Sequence, residues 1–204
     1  MTNMNNLTIY IIIFLIAYFI GSIPFAFIIA KLVKGIDIRY AGEGNVGARN
    51  VLHTIGKPYG VIVGLLDFLK GVVVALLCQS LNLTFPFIIV AGFGVVIGHD
   101  FPIFLKFKGG KGIATALGFL FILYPLPTLA ALSLMLILFS IRRYFHFAAS
   151  IGIASLPILW MPIFKNSFKE ILFTVSYLSF LGVKRLIDEP HMKKIREKSG
   201  WDKG

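Results

Sequence analysis

The sequence predicts an all-α polytopic membrane protein of about seven transmembrane helices, with its N-terminus outside and its C-terminus cytosolic. Three observations carry this reading. Of 204 residues, 57% are hydrophobic and 14% charged, too little charge to cover a soluble domain of this size. The apolar residues come in long blocks, as membrane spans require. The basic residues crowd alternate connections between those blocks. The formal net charge of +11 would point to nucleic acid in a soluble chain. Set between apolar blocks it marks topology and attracts anionic lipid, so no nucleic-acid partner is expected.

The blocks can be taken in order. The first covers residues 7–33 and holds Pro24 just after Gly21-Ser22, which predicts a kink. The six residues before it carry no Lys or Arg, and no small-residue cleavage site follows. It reads as a retained helix rather than a secretory signal. The second block, 58–81, contains Asp67 and Lys70, three apart and able to pair on one helix face. Isolated charges in hydrocarbon are costly, so this pair is expected to tie helices together in the protein interior. The remaining blocks are 85–97, 113–124, 126–141, 146–163 and 168–183. Several are shorter than the ~20 residues of a straight span and must borrow flanking residues or end where protein shields them. His146 at a span boundary reads as packing. One membrane domain, 1–187, is expected, followed by a short charged tail, 188–204, that lies on the surface as a short helix or frays.

Sidedness follows from the cations. Lys31, Lys34, Arg39, Arg49 and Lys57 share a side with Lys106, Lys108 and Lys111, with Arg142 and Arg143, and with the tail from Lys184. The opposite connections hold Lys165 and Lys169. The crowded side is cytosolic by the positive-inside rule, and an odd number of spans satisfies it. The single cysteine, Cys78, sits among apolar neighbours and excludes an internal disulfide or a cysteine-based metal cluster.

Two polar, glycine-rich stretches interrupt the apolar blocks on that side. In the first, Gly42, Gly44 and Gly47 fall within six residues, with Asn45 and Asn50 as further amide donors. This spacing suits a backbone nest for an anion, and equally a tight turn that needs positive φ. In the second, Lys106, Lys108 and Lys111 flank Gly109-Gly110, and Gly112 leads into the apolar block at Ile113. A helix starting there would aim free N–H groups at an anion, with Lys111 as a point charge. His99 and Asp100 adjoin this loop. His99 could bind phosphate, serve as a base or sit satisfied beside Pro102. No metal-ligand spacing and no nucleophile elbow is evident, so neither a metal nor an organic cofactor is expected.

These motifs resemble the bacterial acyl-phosphate:glycerol-3-phosphate acyltransferase family over nearly the whole chain. The resemblance rests on Gly21-Ser22-Ile23-Pro24, Asp37-Ile38-Arg39, Gly44-Asn45-Val46-Gly47-Ala48, Asn50-Val51-Leu52, Asp67 with Lys70-Gly71, and above all on His99-Asp100-Phe101-Pro102 through Lys111-Gly112-Ile113-Ala114-Thr115. It implies a seven-helix bacterial inner-membrane enzyme, active on its cytosolic face. Such an enzyme moves a fatty acyl group from acyl-phosphate to the 1-hydroxyl of glycerol 3-phosphate, giving lysophosphatidic acid. The implied partners are those two substrates and membrane lipid; a monomer is compatible with the sequence, which does not fix the oligomeric state.

The resemblance also exposes departures. Glu43 stands where the family has serine, Arg49 where it has threonine and His53 where it has arginine. Near the C-terminus Ser179, Gly182 and His191 replace the family's histidine, asparagine and glutamate. Two readings stay open on this ground. One is an acyltransferase, conventional or with a shifted acceptor. The other is a non-catalytic relative that binds or moves an anionic lipid. On the enzyme reading the catalytic candidates are Lys111, Glu43 and His53. Gly42, Gly44, Asn45, Gly47, Arg49, Asn50, His99, Lys106, Gly109, Gly110 and Gly112 are expected to bind substrate phosphate. The N–H groups of 109–112 and Lys111 are expected to stabilise the oxyanion and the departing phosphate. Glu43 or His53 could take the hydroxyl proton, as could substrate phosphate.

Overall fold

The computed structural model describes residues 5–142 and 145–201, with side chains omitted at 142, 145 and 146. The readings made for Arg143, for the Arg142 and His146 side chains and for the last three residues of the tail lie outside the described residues. Every regular element described is helical. Helix α1 (Asn6–Ser22) opens on Asn5, whose side chain accepts from the Thr8 N–H at 2.8 Å. The chain breaks at Ile23-Pro24, as Pro24 predicts, and resumes as α2 (Phe25–Lys34). Then follow α3 (Ala48–Thr54), α4 (Lys57–Ser80), α5 (Phe85–Asp100), α6 (Ile113–Leu123) and α7 (Pro125–Arg142). Helix α8 (Phe145–Ser155) runs through a π-helical turn, Leu156–Trp160, into the short α9 (Met161–Ile163). Helix α10 (Phe168–Ser199) starts in a capping box between Ser167 and Glu170.

Among the described residues three stretches are long and apolar enough to cross a membrane: Asn6–Lys34 with 29 residues, Lys57–Ser80 with 24 and Phe85–Leu105 with 21. Ile113–Leu123, Pro125–Ile141 and Phe147–Ile163 are shorter apolar helices. Lipid tails are as apolar as leucine, so helices in a bilayer associate through close packing rather than through apolar burial. Two reciprocal glycine contacts do this here. On α1, a Cβ at Gly21 would lie 2.1 Å from the Val95 carbonyl oxygen of α5, and one at Gly98 would lie 2.1 Å from that of Tyr18. Between α4 and α6, a Cβ at Gly71 would lie 2.0 Å from the Thr115 carbonyl oxygen, and one at Gly118 would lie 2.0 Å from that of Phe68. Outward faces carry exposed Ile11, Leu15, Val61, Leu65, Leu69 and Leu136, the surface a lipid-facing bundle needs.

The last element departs from expectation. The seventh block and the tail form one 32-residue helix that passes unbroken through 187/188 and through Pro190, ending at Gly200 with φ of 64°. Residues 188–201 neither fray nor lie loosely on the surface, because Lys184, Met192 and Ile195 are buried on one face of the helix. Lys184 pairs with Asp188 and sits 4.8 Å from the Phe101 ring, which fastens this face to the end of α5.

Candidate active site

The site is built on a buried polar tie. Lys70 Nζ meets Asp67 Oδ1 at 2.8 Å on α4, as the spacing predicts. His99 Nδ1 of α5 lies 3.6 Å from the same carboxylate oxygen and 3.4 Å from both Lys70 Nζ and Thr115 Oγ1. Thr115 of α6 donates to the Asp67 carbonyl at 2.9 Å. Three helices are thus fixed where the lysine loop, 101–112, connects α5 to α6.

The lysine loop is shaped by its backbone. Gly109 N–H donates to the Asp100 carbonyl at 3.2 Å and Gly110 N–H to the His99 carbonyl at 3.1 Å. These two N–H groups are therefore not available to an oxyanion, which corrects the expectation for 109 and 110. Their lack of a side chain is what the fold uses: a Cβ at Gly109 would fall 2.2 Å from the His99 carbonyl oxygen, and one at Gly110 would fall 2.0 Å from His99 Nε2. His99 accordingly lies against the loop as a buttress. Gly112 has φ of 67°, and a Cβ there would meet Asp100 Oδ1 at 2.8 Å. Neither oxygen of the buried Asp100 carboxyl has a hydrogen-bond partner among the described residues. Gly112 caps α6, whose start the sequence placed correctly. Lys106 is exposed with φ of 54°, and no described contact brings its side chain to the site.

The glycine loop, 41–50, is shaped by one side chain. The buried Asn50 gives its amide N–H groups to the carbonyls of Ile38, Ala41 and Asn45 at 3.1, 3.0 and 2.9 Å. Its Oδ1 accepts from the Glu43 N–H at 2.8 Å and from Thr54 Oγ1 at 3.0 Å. Asn50 therefore holds the loop and has no amide donor left for phosphate, contrary to the role expected of it. Gly42 and Gly44 have φ of 58° and 74°, and Gly44 N–H closes a turn onto the Ala41 carbonyl at 3.0 Å. Asn45 is buried and its Oδ1 has no partner among the described residues. A Cβ at Gly47 would meet the Asn45 amide at 2.9 Å. Arg39 clamps the two loops together: it binds Asp37 through three contacts of 2.6–3.1 Å and donates to the Leu105 carbonyl at 3.1 Å. Burial opposes ionisation of Asp37, but the hydrogen bonds and charge of Arg39 outweigh it and hold the carboxyl below its ordinary value.

The loops meet at one carboxylate. Glu43, 1% exposed, places Oε1 3.0 Å from Lys111 Nζ and 3.1 Å from Arg49 Nη1. Two departures from the family pattern, Glu43 and Arg49, are thus each other's partners. A buried charge must be paired to be tolerated, so the two belong together energetically. The carboxylate is engaged by two cations and not presented as a base. Burial pulls the Lys111 ammonium below the ordinary lysine value; Glu43 partly restores it, while Arg185 and Arg49 push the same way as burial. His53 is exposed, with its ring 5.2 Å from that of Trp201, and does not join the charged cluster.

Lys111 also opens onto a second environment. A largely apolar cavity of about 440 Å³ lies between α8 and α10. Ala149, Ile153 and Pro157 line one wall, Leu178, Ser179 and Gly182 the other, and Lys111 with Arg185 supply the charge. A Cβ on Gly182 would meet nothing within 4 Å, so this departure leaves the wall open. A smaller cavity of about 240 Å³ is lined by Arg39, Gly44, Lys108, Asp188 and His191 among others. His191 Nε2 lies 3.2 Å from the Arg39 carbonyl.

Sequence reading missed Arg185 and the end of α10. Ser199 Oγ donates to the Gly42 carbonyl at 2.8 Å, and Ile195 fills the space beside Gly44. The signal was present: Lys184, Asp188, Met192, Ile195 and Ser199 recur at spacings of three and four, the mark of one helical face.

Comparison with known proteins gives one answer. Residues 11–195 match the family model described as glycerol-3-phosphate acyltransferase. The glycerol-3-phosphate acyltransferase of Desulforamulus reducens is 43% identical over 164 residues, which is 80% of this chain and 82% of that one. The enzyme of that name from Endomicrobium trichonymphae is 38% identical over 189 residues, 90% of this chain and 94% of its own. The crystal structure of PlsY (YgiH), an integral membrane glycerol 3-phosphate acyltransferase, in its glycerol 3-phosphate form superposes with a TM-score of 0.81 at 34% identity. That match covers 95% of this chain and 94% of the other. The lysophosphatidic acid form superposes with a TM-score of 0.77 at 32% identity, covering 95% and 93%.

Proposed function

Because the chain belongs to the glycerol-3-phosphate acyltransferase family, we propose a route by which its site carries out the family's reaction. The protein is a membrane enzyme that transfers an acyl group to glycerol 3-phosphate for phospholipid synthesis. The donor is acyl-phosphate. Its tail lies in the cavity between α8 and α10, and its phosphate meets Lys111 and Arg185. The acceptor enters from the cytosolic face of the bacterial inner membrane, in a seven-span arrangement with the C-terminus cytosolic. Its phosphate is held by Arg49 beside Gly42, Gly44 and Gly47, and it displaces the Glu43 carboxylate from between the two cations.

The 1-hydroxyl oxygen then attacks the acyl carbon. The new ester C–O bond forms, the carbon–phosphate oxygen bond breaks, and the hydroxyl proton leaves on the departing phosphate. The products are lysophosphatidic acid and inorganic phosphate. A mixed anhydride is already activated, so the protein needs chiefly to orient it and to neutralise charge. Lys111 supplies the charge at the reacting centre. Glu43 balances Lys111 and Arg49 between turnovers, a role that fits its two contacts better than proton abstraction does.

One observation carries this reading: Lys111 lines the apolar cavity and at the same time bonds the carboxylate of the glycine loop at 3.0 Å. A single ammonium therefore faces the place for a lipid tail and the place for a polar acceptor. The test is product formed by purified protein with acyl-phosphate, acyl-CoA and acyl carrier protein offered separately beside glycerol 3-phosphate. Turnover with acyl-phosphate alone is expected. Turnover with acyl-CoA alone, or none above a Lys111→Ala control, would reject the route.

A further inference from the structure

We propose that Trp201 is a positioning residue for the acceptor: the end of α10 straps the glycine loop, and its indole holds the Arg49 guanidinium in place. This inference rests on the acceptor role given to Arg49 above. The family match covers residues 11–195 and stops short of Ser199, Gly200 and Trp201. The strap is built in three steps. Ile195 packs so closely that a Cβ on Gly44 would lie 2.8 Å from it. Ser199 Oγ hydrogen-bonds the Gly42 carbonyl at 2.8 Å. Gly200, with φ of 64°, turns the chain back, and Trp201 N–H closes the turn on the Arg196 carbonyl at 3.1 Å. The half-buried indole then stands over Gly42, with the Arg49 guanidinium carbon 5.6 Å from the ring centroid and the His53 ring 5.2 Å away.

The geometry suits a guanidinium that must change partners. Arg carries its donors in one plane and can be held by an aromatic face without giving them up. Glu43 engages Arg49 through Nη1 at 3.1 Å, whereas Trp201 engages it as a ring. An incoming phosphate can replace the carboxylate while the indole keeps the guanidinium aimed. Without Trp201 the side chain would have to be ordered by the acceptor itself, and that cost would appear in KM.

Trp201→Ala, Trp201→Leu and Trp201→Phe test this in the full-length protein, with Arg49→Ala as reference. Trp201→Ala and Trp201→Leu should raise KM for glycerol 3-phosphate about three- to thirtyfold, the range of a cation–π contact. KM for acyl-phosphate should stay within about twofold, and Trp201→Phe should recover most of the loss. In a Trp160→Phe background, glycerol 3-phosphate should change Trp201 emission saturably, and Arg49→Ala should abolish that change. Equal KM values for the Leu and Phe variants would mean packing alone and overturn the proposal; this pair decides even if the Ala variant does not fold. An unchanged KM in the Trp201 variants while Arg49→Ala raises it would overturn the strap but leave the acceptor site. An unchanged KM in Arg49→Ala would overturn the acceptor site and the strap with it.

Discussion

The two polar loops face each other across one ion pair and are held in opposite ways. The lysine loop is fixed through backbone: the N–H groups of Gly109 and Gly110 bond the last carbonyls of α5, at distances no Cβ would permit. The glycine loop is fixed through the Asn50 side chain and the strap from α10. A loop defined by close backbone approach tolerates few changes, and this one keeps its family motif. A loop defined by one internal side chain leaves its other positions free to change in matched pairs. Glu43 and Arg49, both departures and mutually paired, are such a change.

The largest expected effect separates the lysines of one loop. Lys111→Ala should lower kcat/KM by roughly 10²-fold or more, the loss of one donor at developing charge. Lys106→Ala should leave it within about twofold, because Lys106 is exposed and no described contact ties it to the site. Similar losses from both would dissolve the distinction between a site lysine and a topology lysine.

Backbone against side-chain control is tested next. Gly109→Ala puts a methyl into the His99 carbonyl and should displace Lys111, lowering kcat/KM by about 10- to 100-fold, as small misplacements do. Gly47→Ala meets the end of the Asn45 side chain, which can turn aside, and should cost only about fivefold or less on the same scale. If Gly47→Ala proved the more damaging, the contrast between the loops would be reversed.

A third measurement concerns the matched pair. Glu43→Ser, Arg49→Thr and the double variant form a thermodynamic cycle on thermal or denaturant stability. The double variant should lose less than the sum of the singles, by about 1–3 kcal/mol, because each single variant takes a partner from the charge that stays. Additivity within about 0.5 kcal/mol would show that the two side chains are not energetically coupled.

The smallest effect is on pH dependence. Burial lowers the Lys111 ammonium from its ordinary value, and Glu43 raises it back in part. The cation is needed, so kcat/KM should fall on the alkaline side at a pH below that of an ordinary lysine. Removing the carboxylate in Glu43→Ser removes the raising influence and should move this limb to lower pH. A limb that stays put, or moves up, would mean that Lys111 does not set it.

The sequence alone determined a good part of this. Apart from α3 and the part of α10 beyond residue 183, hydrophobic blocks gave the helices to within a few residues, since hydrocarbon forces a continuous apolar run. Pro24 marked the break between α1 and α2, and the spacing of Asp67 and Lys70 gave their ion pair, because both are local rules of helix geometry. Gly112 before Ile113 located the start of α6. Only the tertiary structure decided which donors remain for a ligand. Asn50 looked like a phosphate ligand and serves as the loop's internal strut. Gly109 and Gly110 looked like an oxyanion cradle and give their N–H groups to α5. Glu43 looked like a base and is a counterion to Lys111, 68 positions away in the chain. Residues 188–201 looked like a surface tail and close over the glycine loop. The physical reason is common to all four: a residue type fixes what a group can donate or accept, while the partner that uses it comes from a distant segment.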